Sequence, residues 1–203
     1  MVWAAGGANV RVRPVVLFQI AQMYEKRRFH SSGDCRVVGA LIGTYEGQGA
    51  YEVAHCFPVH FEEDSDGSLY MDKKTVATCM QSEQLASPSE YIVGWFSTGE
   101  ELTTVSTIFH DFFHQRAFNQ SGITEAQQRH LVATTPSIHL MVDMTLRQGK
   151  VELQAYIGQR FGVPDKSSHG IMFAPVPVTI TPTPLDLVAC KFYQIFHLFF
   201  FKN

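Results

Sequence analysis

The stretch Tyr91-Ile92-Val93-Gly94-Trp95-Phe96-Ser97-Thr98-Gly99-Glu100 decides the fold of this chain. An apolar run of strand length ends there in small polar residues, and an amphipathic segment follows it as far as His114. The pattern predicts a buried strand, a turn and a helix. Many folds keep catalytic residues at such a turn, but Ser97, Thr98 and Gly99 include no good metal ligand. The turn is therefore either an active site or the place where one is missing.

The helix predicted after the turn spans about 103–114. The apolar residues that define its predicted core face are Val105, Ile108, Phe109 and Phe112. His110, Asp111 and His114 spell H-D-x-x-H, which has the spacing of a zinc-protease helix with a shorter carboxylate. On a helical wheel both histidines lie opposite the apolar residues, which predicts that they face solvent. Because no third ligand is apparent, we expect no zinc-protease chemistry from this helix.

Composition places the chain among globular proteins of one domain. Its 203 residues, 45% of them hydrophobic, can bury one substantial core. The formal net charge of -3 gives no overall attraction to nucleic acid. The four cysteines form no Cys-x-x-Cys pair, which favours reduced thiols in a cytoplasmic protein over a zinc framework. The apolar tail from Phe192 to Phe201 is shorter than the roughly 20 residues that cross a bilayer, so we expect no membrane segment.

The first half of the chain predicts two helices and a pair of strands. Pro14 begins a helix, because a proline costs no hydrogen bond in the first turn. Residues 36–43 form a nearly continuous apolar run, typical of a central strand, and residues 51–57 alternate as its half-buried hairpin partner. Asp72 caps the second helix. The apolar faces of the two helices include Val16, Ile20, Met23, Tyr24, Val76 and Met80.

The second half predicts strands interrupted by one long insertion. Residues 115–137 form this insertion, with a short surface helix around 124–131. Residues 138–143 and 151–157 each alternate between apolar and polar side chains, which predicts an antiparallel pair. Residues 170–173 form a further apolar strand.

The order of these elements predicts an α/β fold with a mixed, mostly antiparallel sheet flanked by helices. A series of prolines from Pro175 to Pro184 indicates where regular structure ends. We therefore expect a flexible start at 1–9, one domain at 10–180 and a short segment at 181–203. The aromatic side chains of the last segment would promote aggregation if exposed, so we expect this segment to dock on a partner.

Five stretches of the chain stand out as motifs: VRPVV at 12–16, RVVGALIGT at 36–44, GWFSTG at 94–99, PSIHL at 136–140 and, as the last motif, segments within 155–175 that end in GIMFAP. These motifs resemble those of the MPN domain family. The resemblance covers about 10–178 and implies the MPN fold, which is also called JAMM-like. The last motif is particular to MPN subunits of the eukaryotic translation initiation factor three complex, as against those of the proteasome lid and the signalosome.

Active members of this family are zinc isopeptidases, and the resemblance implies where their essential residues should stand. The glutamate base belongs at position 36, the zinc-binding histidines at 97 and 99, and the aspartate ligand at 110. This chain has Arg36, Ser97, Gly99 and His110 there, and by analogy all four face one pocket. Serine is a poor zinc ligand, glycine supplies none, and arginine stays protonated. We therefore expect no catalytic, metal-binding or cofactor-binding residue and no cofactor.

The resemblance also implies partners. We expect a heterodimer with a second MPN subunit, the H subunit of the initiation factor, and contacts with the other subunits of that complex. The small ribosomal subunit would be reached mainly through the complex. The residues that we expect at partner contacts are Val16, Ile20, Met23, Tyr24, Val76, Met80, Phe196 and Phe199. The helix residues among them would equally serve to cover the sheet.

Two alternatives to this non-catalytic scaffold stay open. One is a deubiquitinating enzyme with residual or zinc-independent activity. The other is an MPN scaffold subunit of the proteasome lid or the signalosome.

Overall fold

A computed structural model of the chain describes residues 7–27, 36–63, 69–117, 123–145, 151–162, 169–188 and 191. Within these residues no helix is both long enough and apolar enough to cross a membrane. The helices and strands are, in chain order, β1 (Asn9–Val12), α1 (Pro14–Lys26), β2 (Val38–Gly47), β3 (Ala50–Pro58), β4 (Phe61–Glu63), β5 (Leu69–Met71), α2 (Lys73–Ala86), β6 (Tyr91–Thr98), α3 (Thr104–His114), α4 (Glu125–Thr134), β7 (Ile138–Asp143), β8 (Glu152–Gly162), β9 (His169–Val176) and β10 (Val178–Ile180).

Most of the strands form one mixed sheet in the order β10-β1-β3-β2-β6-β7-β8-β9, while β4 and β5 form a small separate hairpin. β1 is parallel to β10 and β3, and β6 is parallel to β7. The other neighbours in the sheet are antiparallel. This mixed, mostly antiparallel sheet flanked by helices confirms the predicted fold class. β6 lies between β2 and β7, so the backbone of the stretch that decides the fold is paired along both edges.

Helices cover both faces of the sheet. On one face α1 buries Val16 and Ile20 completely, in an apolar core that also holds Phe96 of β6. On the other face α2 and α3 pack around Trp95, the residue next to Phe96, and their core includes Phe113. Because neighbouring residues of a strand point to opposite faces, β6 supplies a large aromatic side chain to each core.

The two predicted helix starts are confirmed. α1 begins with Pro14 in its first turn. α2 begins after Asp72, whose carboxylate accepts hydrogen bonds from the backbone N–H groups of Lys74 and Thr75 at 3.0 and 3.1 Å. These bonds satisfy amides that the helix itself leaves unpaired, so both helices start where their local sequence directs them.

The expectation that regular structure ends at the proline series is wrong. Val178 pairs with Val10, and β10 extends the sheet next to β1. Helical residues follow at 184–188. Pro175 lies on the edge strand β9, where a residue without an N–H group can be accommodated because one side of the strand has no ladder partner. Whether residues 181–203 dock on a partner stays a prediction.

The insertion at 115–137 contains the helix predicted for it, as α4. Its first turn is closed by a capping box, in which the Thr124 hydroxyl accepts from the Gln127 amide at 3.3 Å and the Gln127 side chain accepts from the Thr124 amide at 2.7 Å. The described part of the insertion is therefore ordered by its own sequence.

Candidate functional site

The candidate site lies where β6 ends, between the start of β2 and the helix α3. Arg36, Thr98 and Gly99 line a cavity of about 350 Å³ there. His110 lines a different cavity, of about 800 Å³, between α3, α4 and β8. The expectation that Arg36 and His110 face one pocket is therefore wrong, since the two side chains border separate cavities.

Arg36 is held at the mouth of the turn. Its guanidinium donates a hydrogen bond to the Thr103 hydroxyl at 3.0 Å. Next to it, the Val37 amide donates to the Thr98 hydroxyl at 2.9 Å, and the Thr98 amide donates to the Val37 carbonyl at 2.9 Å. These bonds fasten the end of β6 to the start of β2, and they place a permanent cation beside the turn.

Gly99 has a backbone φ of 144°, which favours glycine over residues with a side chain. Its amide donates to the Val142 carbonyl at 3.1 Å, so the turn is also fastened to β7. A Cβ atom at this position would meet nothing within 4 Å. The glycine therefore sets the shape of an open turn and supplies no ligand atom.

Ser97 forms a buried pair with His139 of β7. The Ser97 hydroxyl lies 2.9 Å from His139 Nε2, and the imidazole stacks on the Trp95 indole with ring centroids 3.8 Å apart. Burial, with a smaller contribution from His110, lowers the pKa of His139 to about 3. Among the described residues Nδ1 of His139 has no hydrogen-bond partner. The imidazole is therefore neutral at pH 7, and among the described residues no carboxylate holds its Nδ1 as in a catalytic triad.

His139 was not singled out by the sequence. The alternation along residues 138–143 grouped His139 and Met141 with the polar positions of the strand, but both side chains are buried. The local sequence carried no signal for this, because the burial follows from the parallel pairing of β7 with β6, which places β7 inside the sheet with both faces covered.

His110 is packed in the core and does not face solvent as predicted. Its Nδ1 accepts a hydrogen bond from Trp95 Nε1 at 3.2 Å, and Phe173 contacts the ring edge-on with centroids 5.2 Å apart. Gly158 makes room for the ring, since a Cβ atom there would lie 2.2 Å from His110 Nε2. His114 is also buried, and its Nδ1 lies 2.9 Å from the Ser137 hydroxyl.

The prediction for these histidines was wrong because α3 is rotated about its axis relative to the predicted orientation. Both the predicted and the observed core face follow the i, i+3, i+4, i+7 spacing. The observed face starts one residue later, which leaves Ile108 45% exposed. One residue corresponds to about 100° of rotation, because a helical turn contains about 3.6 residues. The buried residues of α3 are Ser106, Phe109, His110, Phe112, Phe113 and His114, so Phe109 and Phe112 are confirmed as core residues.

Zinc does not fit these residues. The family's ligand positions hold the Ser97 hydroxyl, which is paired with His139, and Gly99, which has no donor atom. At the third position, Nδ1 of His110 already accepts from Trp95. No group of three or more histidine, cysteine, aspartate or glutamate residues that could hold a metal occurs in the part of the chain that the structure describes. A catalytic zinc needs about three such ligands.

Four of the predicted partner residues belong to the protein's own core. Val16 and Ile20 are fully buried under α1, and Val76 and Met80 are buried under α2. They cover the sheet, so the prediction that these four residues contact a partner is wrong. Met23 and Tyr24 are half-buried. Phe196 and Phe199 lie outside the described residues.

Comparison with known proteins gives one family match. The family model described as JAB1/Mov34/MPN/PAD-1 ubiquitin protease matches residues 5–119. The F-1 subunit of eukaryotic translation initiation factor 3 in Drosophila ananassae is 32% identical over 186 residues, which are 92% of this chain and 58% of the relative. The F subunit of the same factor in Culex quinquefasciatus is 34% identical over 180 residues, 89% of this chain and 55% of the relative. The chain thus spans less than two thirds of the length of these relatives.

Proposed function

This chain belongs to the JAB1/Mov34/MPN/PAD-1 family, and from that premise we propose that it acts as a non-catalytic MPN subunit of the eukaryotic translation initiation factor three complex. In this role it supports assembly of the initiation complex on the small ribosomal subunit in the cytoplasm. The observation that carries the proposal is the similarity to the F-type subunits of that factor, which extends over 92% of this chain in the Drosophila ananassae protein.

The geometry of the turn supports the non-catalytic part of the proposal. The family's hydrolysis needs a base that accepts a proton from metal-bound water. Arg36 stands at the position of that base and cannot accept a proton at neutral pH. The donor set at positions 97, 99 and 110 is unsuited to zinc, because Gly99 has no donor atom, the Ser97 hydroxyl is paired with His139, and Nδ1 of His110 accepts from Trp95.

The Ser97–His139 pair is the one observation that favours a zinc-independent hydrolase instead. It has the atoms of a nucleophile and its base at 2.9 Å. However, Ser97 is only 7% exposed and His139 is fully buried, so a polypeptide substrate has no access to the hydroxyl. A base with a pKa of about 3 also drives proton abstraction poorly at pH 7. The Ser97–His139 pair is therefore better suited to packing in the core than to catalysis.

The partner in our proposal is a second MPN subunit, the H subunit of the initiation factor, as a heterodimer. Met23 and Tyr24 stay candidates for this contact because part of each side chain is accessible. The aromatic residues Phe196 and Phe199 stay candidates for docking on other subunits. The ribosome would then be reached mainly through the complex, in line with a net charge of -3 that offers no general affinity for RNA.

Affinity purification of the tagged chain from eukaryotic cells tests this proposal. We expect subunits of initiation factor three, including the H subunit, in stoichiometric amounts. Recovery of proteasome-lid or signalosome subunits without initiation factors would contradict it. The same preparation should leave ubiquitin chains intact, and cleavage that is lost in a Ser97→Ala variant would instead favour the hydrolase.

A further inference from the structure

Arg36 also lines a second cavity, which no part of the proposed function uses. The cavity has a volume of about 640 Å³ and lies between the carboxyl end of α1, the start of β2, the end of β3 and the hairpin strand β4. This volume falls in the range of protein pockets that bind small molecules or single large side chains. We call it the basic cavity, after the residues Lys26, Arg27, Arg36 and His60 that line it.

The interior of the basic cavity is apolar. Met23, Val37 and Phe61 line it with apolar side chains that are partly exposed. Val38 and Val59 also line it but are buried, and the Val59 amide donates to the Val38 carbonyl at 2.9 Å, so these backbone polar groups are engaged with each other. Such a surface favours an apolar group over a phosphate.

The rim of the basic cavity carries positive charge in a fixed arrangement. The Arg27 guanidinium stacks over the Tyr24 ring at 3.4 Å and also donates to the Tyr24 carbonyl. Arg36 is held by its hydrogen bond to Thr103, and Lys26 is exposed. Within the described residues that line the cavity there is no aspartate or glutamate. The Glu62 carboxylate, which lies 3.7 Å from His60, belongs to a side chain that is 77% exposed.

We propose that the basic cavity binds an acidic peptide segment of a partner protein. A bulky apolar side chain of the peptide enters the cavity and contacts Met23 and Val37, while carboxylates on either side of it meet Lys26, Arg27 and Arg36. Charge complementarity supports this occupant, because three permanent cations converge on one cavity in a chain whose net charge is -3. An apolar anchor in a pocket surrounded by charged contacts is a common arrangement at peptide-binding sites.

A single-stranded RNA fits the basic cavity less well. Proteins that bind single strands combine cations with aromatic rings on which bases stack. Among the described residues that line this cavity, the Phe61 ring already packs edge-on against Phe109 with centroids 5.0 Å apart, and the other ring is the small His60 imidazole, which lies 3.7 Å from the Glu62 carboxylate. The proposal does not depend on which multi-subunit complex the chain joins.

Fluorescence anisotropy with the full chain tests the proposal. The probes are a labelled acidic peptide with an apolar centre, DDELFEDD, the same peptide with a polar centre, DDESSEDD, and a labelled oligouridylate of equal length. We expect micromolar binding of DDELFEDD, at least about tenfold weaker binding of the other two probes, and a further loss of about tenfold for the peptide in Lys26→Glu and Arg36→Glu variants. Arg129→Glu, an equal charge change on the exposed face of α4, should alter the affinity less than about twofold.

Four results would overturn the proposal. Equal binding of the two peptides would show that the apolar interior is not used. Binding of oligouridylate as tight as that of DDELFEDD would assign the cations to nucleic acid. A third result is that the unchanged chain binds no probe, whereas a chain with residues 28–35 replaced by a glycine-serine linker binds DDELFEDD; the occupant would then be the protein's own loop. If neither chain binds DDELFEDD, the cavity has no such ligand. Unchanged thermal unfolding of each variant confirms that the losses arise at the site.

Discussion

The face of the sheet under α1 and the face under α3 bury different kinds of side chain. Under α1 the core is apolar or nearly so, with Val16, Ile20 and Phe96 as typical members. Under α3 it includes His110, and the neighbouring sheet position buries His139 beside Trp95. The burial of an apolar face follows from the periodicity of its apolar residues. A face that also buries polar groups is stable only while each polar group keeps its hydrogen-bond partner. Of the residues at the family's catalytic positions, Ser97 and His110 lie in the second kind of environment.

The largest loss of stability is expected from truncating a side chain in the apolar core under α1. Ile20→Ala should lower the free energy of unfolding by about 2–5 kcal/mol, because the side chain is fully buried and leaves a cavity. Phe18→Ala on the same helix is the control, since Phe18 is 50% exposed and its loss should cost clearly less. Urea unfolding followed by circular dichroism measures both. Equal losses would mean that α1 is not packed as described.

A smaller loss of stability is expected at Gly158, where the core under α3 leaves no room beside the His110 ring. Gly158→Ala should lower the free energy of unfolding by about 1–3 kcal/mol, because the new methyl group meets the rigid His110 ring. Removing the ring should relieve the clash, so that Gly158→Ala costs less in a His110→Ala background than in the unchanged chain. A double-mutant cycle from urea unfolding curves measures this coupling. Strict additivity would contradict the contact.

The stability of the fold should also depend on pH through the buried His139. Burial lowers the pKa of His139 to about 3, whereas a histidine in an unfolded chain titrates near pH 6.5. Between these values the unfolded chain binds a proton that the folded chain does not, so stability falls as the pH is lowered from about 6.5 towards 3. The contribution of this one group is about 1.4 kcal/mol per pH unit well inside that range.

Replacing the imidazole isolates this contribution. His139→Phe keeps a ring that can stack on Trp95 and removes the titration, so its unfolding free energy should depend less steeply on pH between about 4 and 6. The leftover Ser97 hydroxyl adds only an offset that does not change with pH. Unfolding midpoints in urea at several pH values give the two slopes, and identical slopes would show that His139 is not buried as a neutral ring.

The smallest expected effect concerns a polar contact at the edge of the α1 face. The Asp186 carboxylate accepts hydrogen bonds from the Arg13 guanidinium, both at 3.2 Å, and from the Thr183 hydroxyl at 2.7 Å. Asp186→Asn should lower the free energy of unfolding by about 1 kcal/mol. Glu46→Gln, which weakens the exposed pair with Arg11, is the control and should cost clearly less, because solvent screens exposed ion pairs. A chemical denaturation series distinguishes the two, and no effect of Asp186→Asn would mean that residues 184–188 are not fastened to the domain.

Sequence reasoning succeeded where local chemistry decides the structure. Pro14 and Asp72 begin helices for reasons that lie within a few residues, and the apolar runs at β2 and β6 need no distant partner to be recognised. It failed where burial depends on contacts between distant residues. The rotation of α3 is set by Trp95 and Gly158, and the burial of His139 by its position between β6 and β8. β10 was missed because its partner, β1, lies at the other end of the chain.

Native mass spectrometry of the complex that contains this chain tests the central claim most directly, because one spectrum reports both the partner and any bound metal. The claim is that an MPN fold with Arg36, Ser97, Gly99 and His110 at the family's essential positions acts in assembly and holds no catalytic zinc. The predicted result is a complex with a second MPN subunit and other subunits of initiation factor three, with this chain free of zinc. One zinc ion per copy of this chain would contradict the claim.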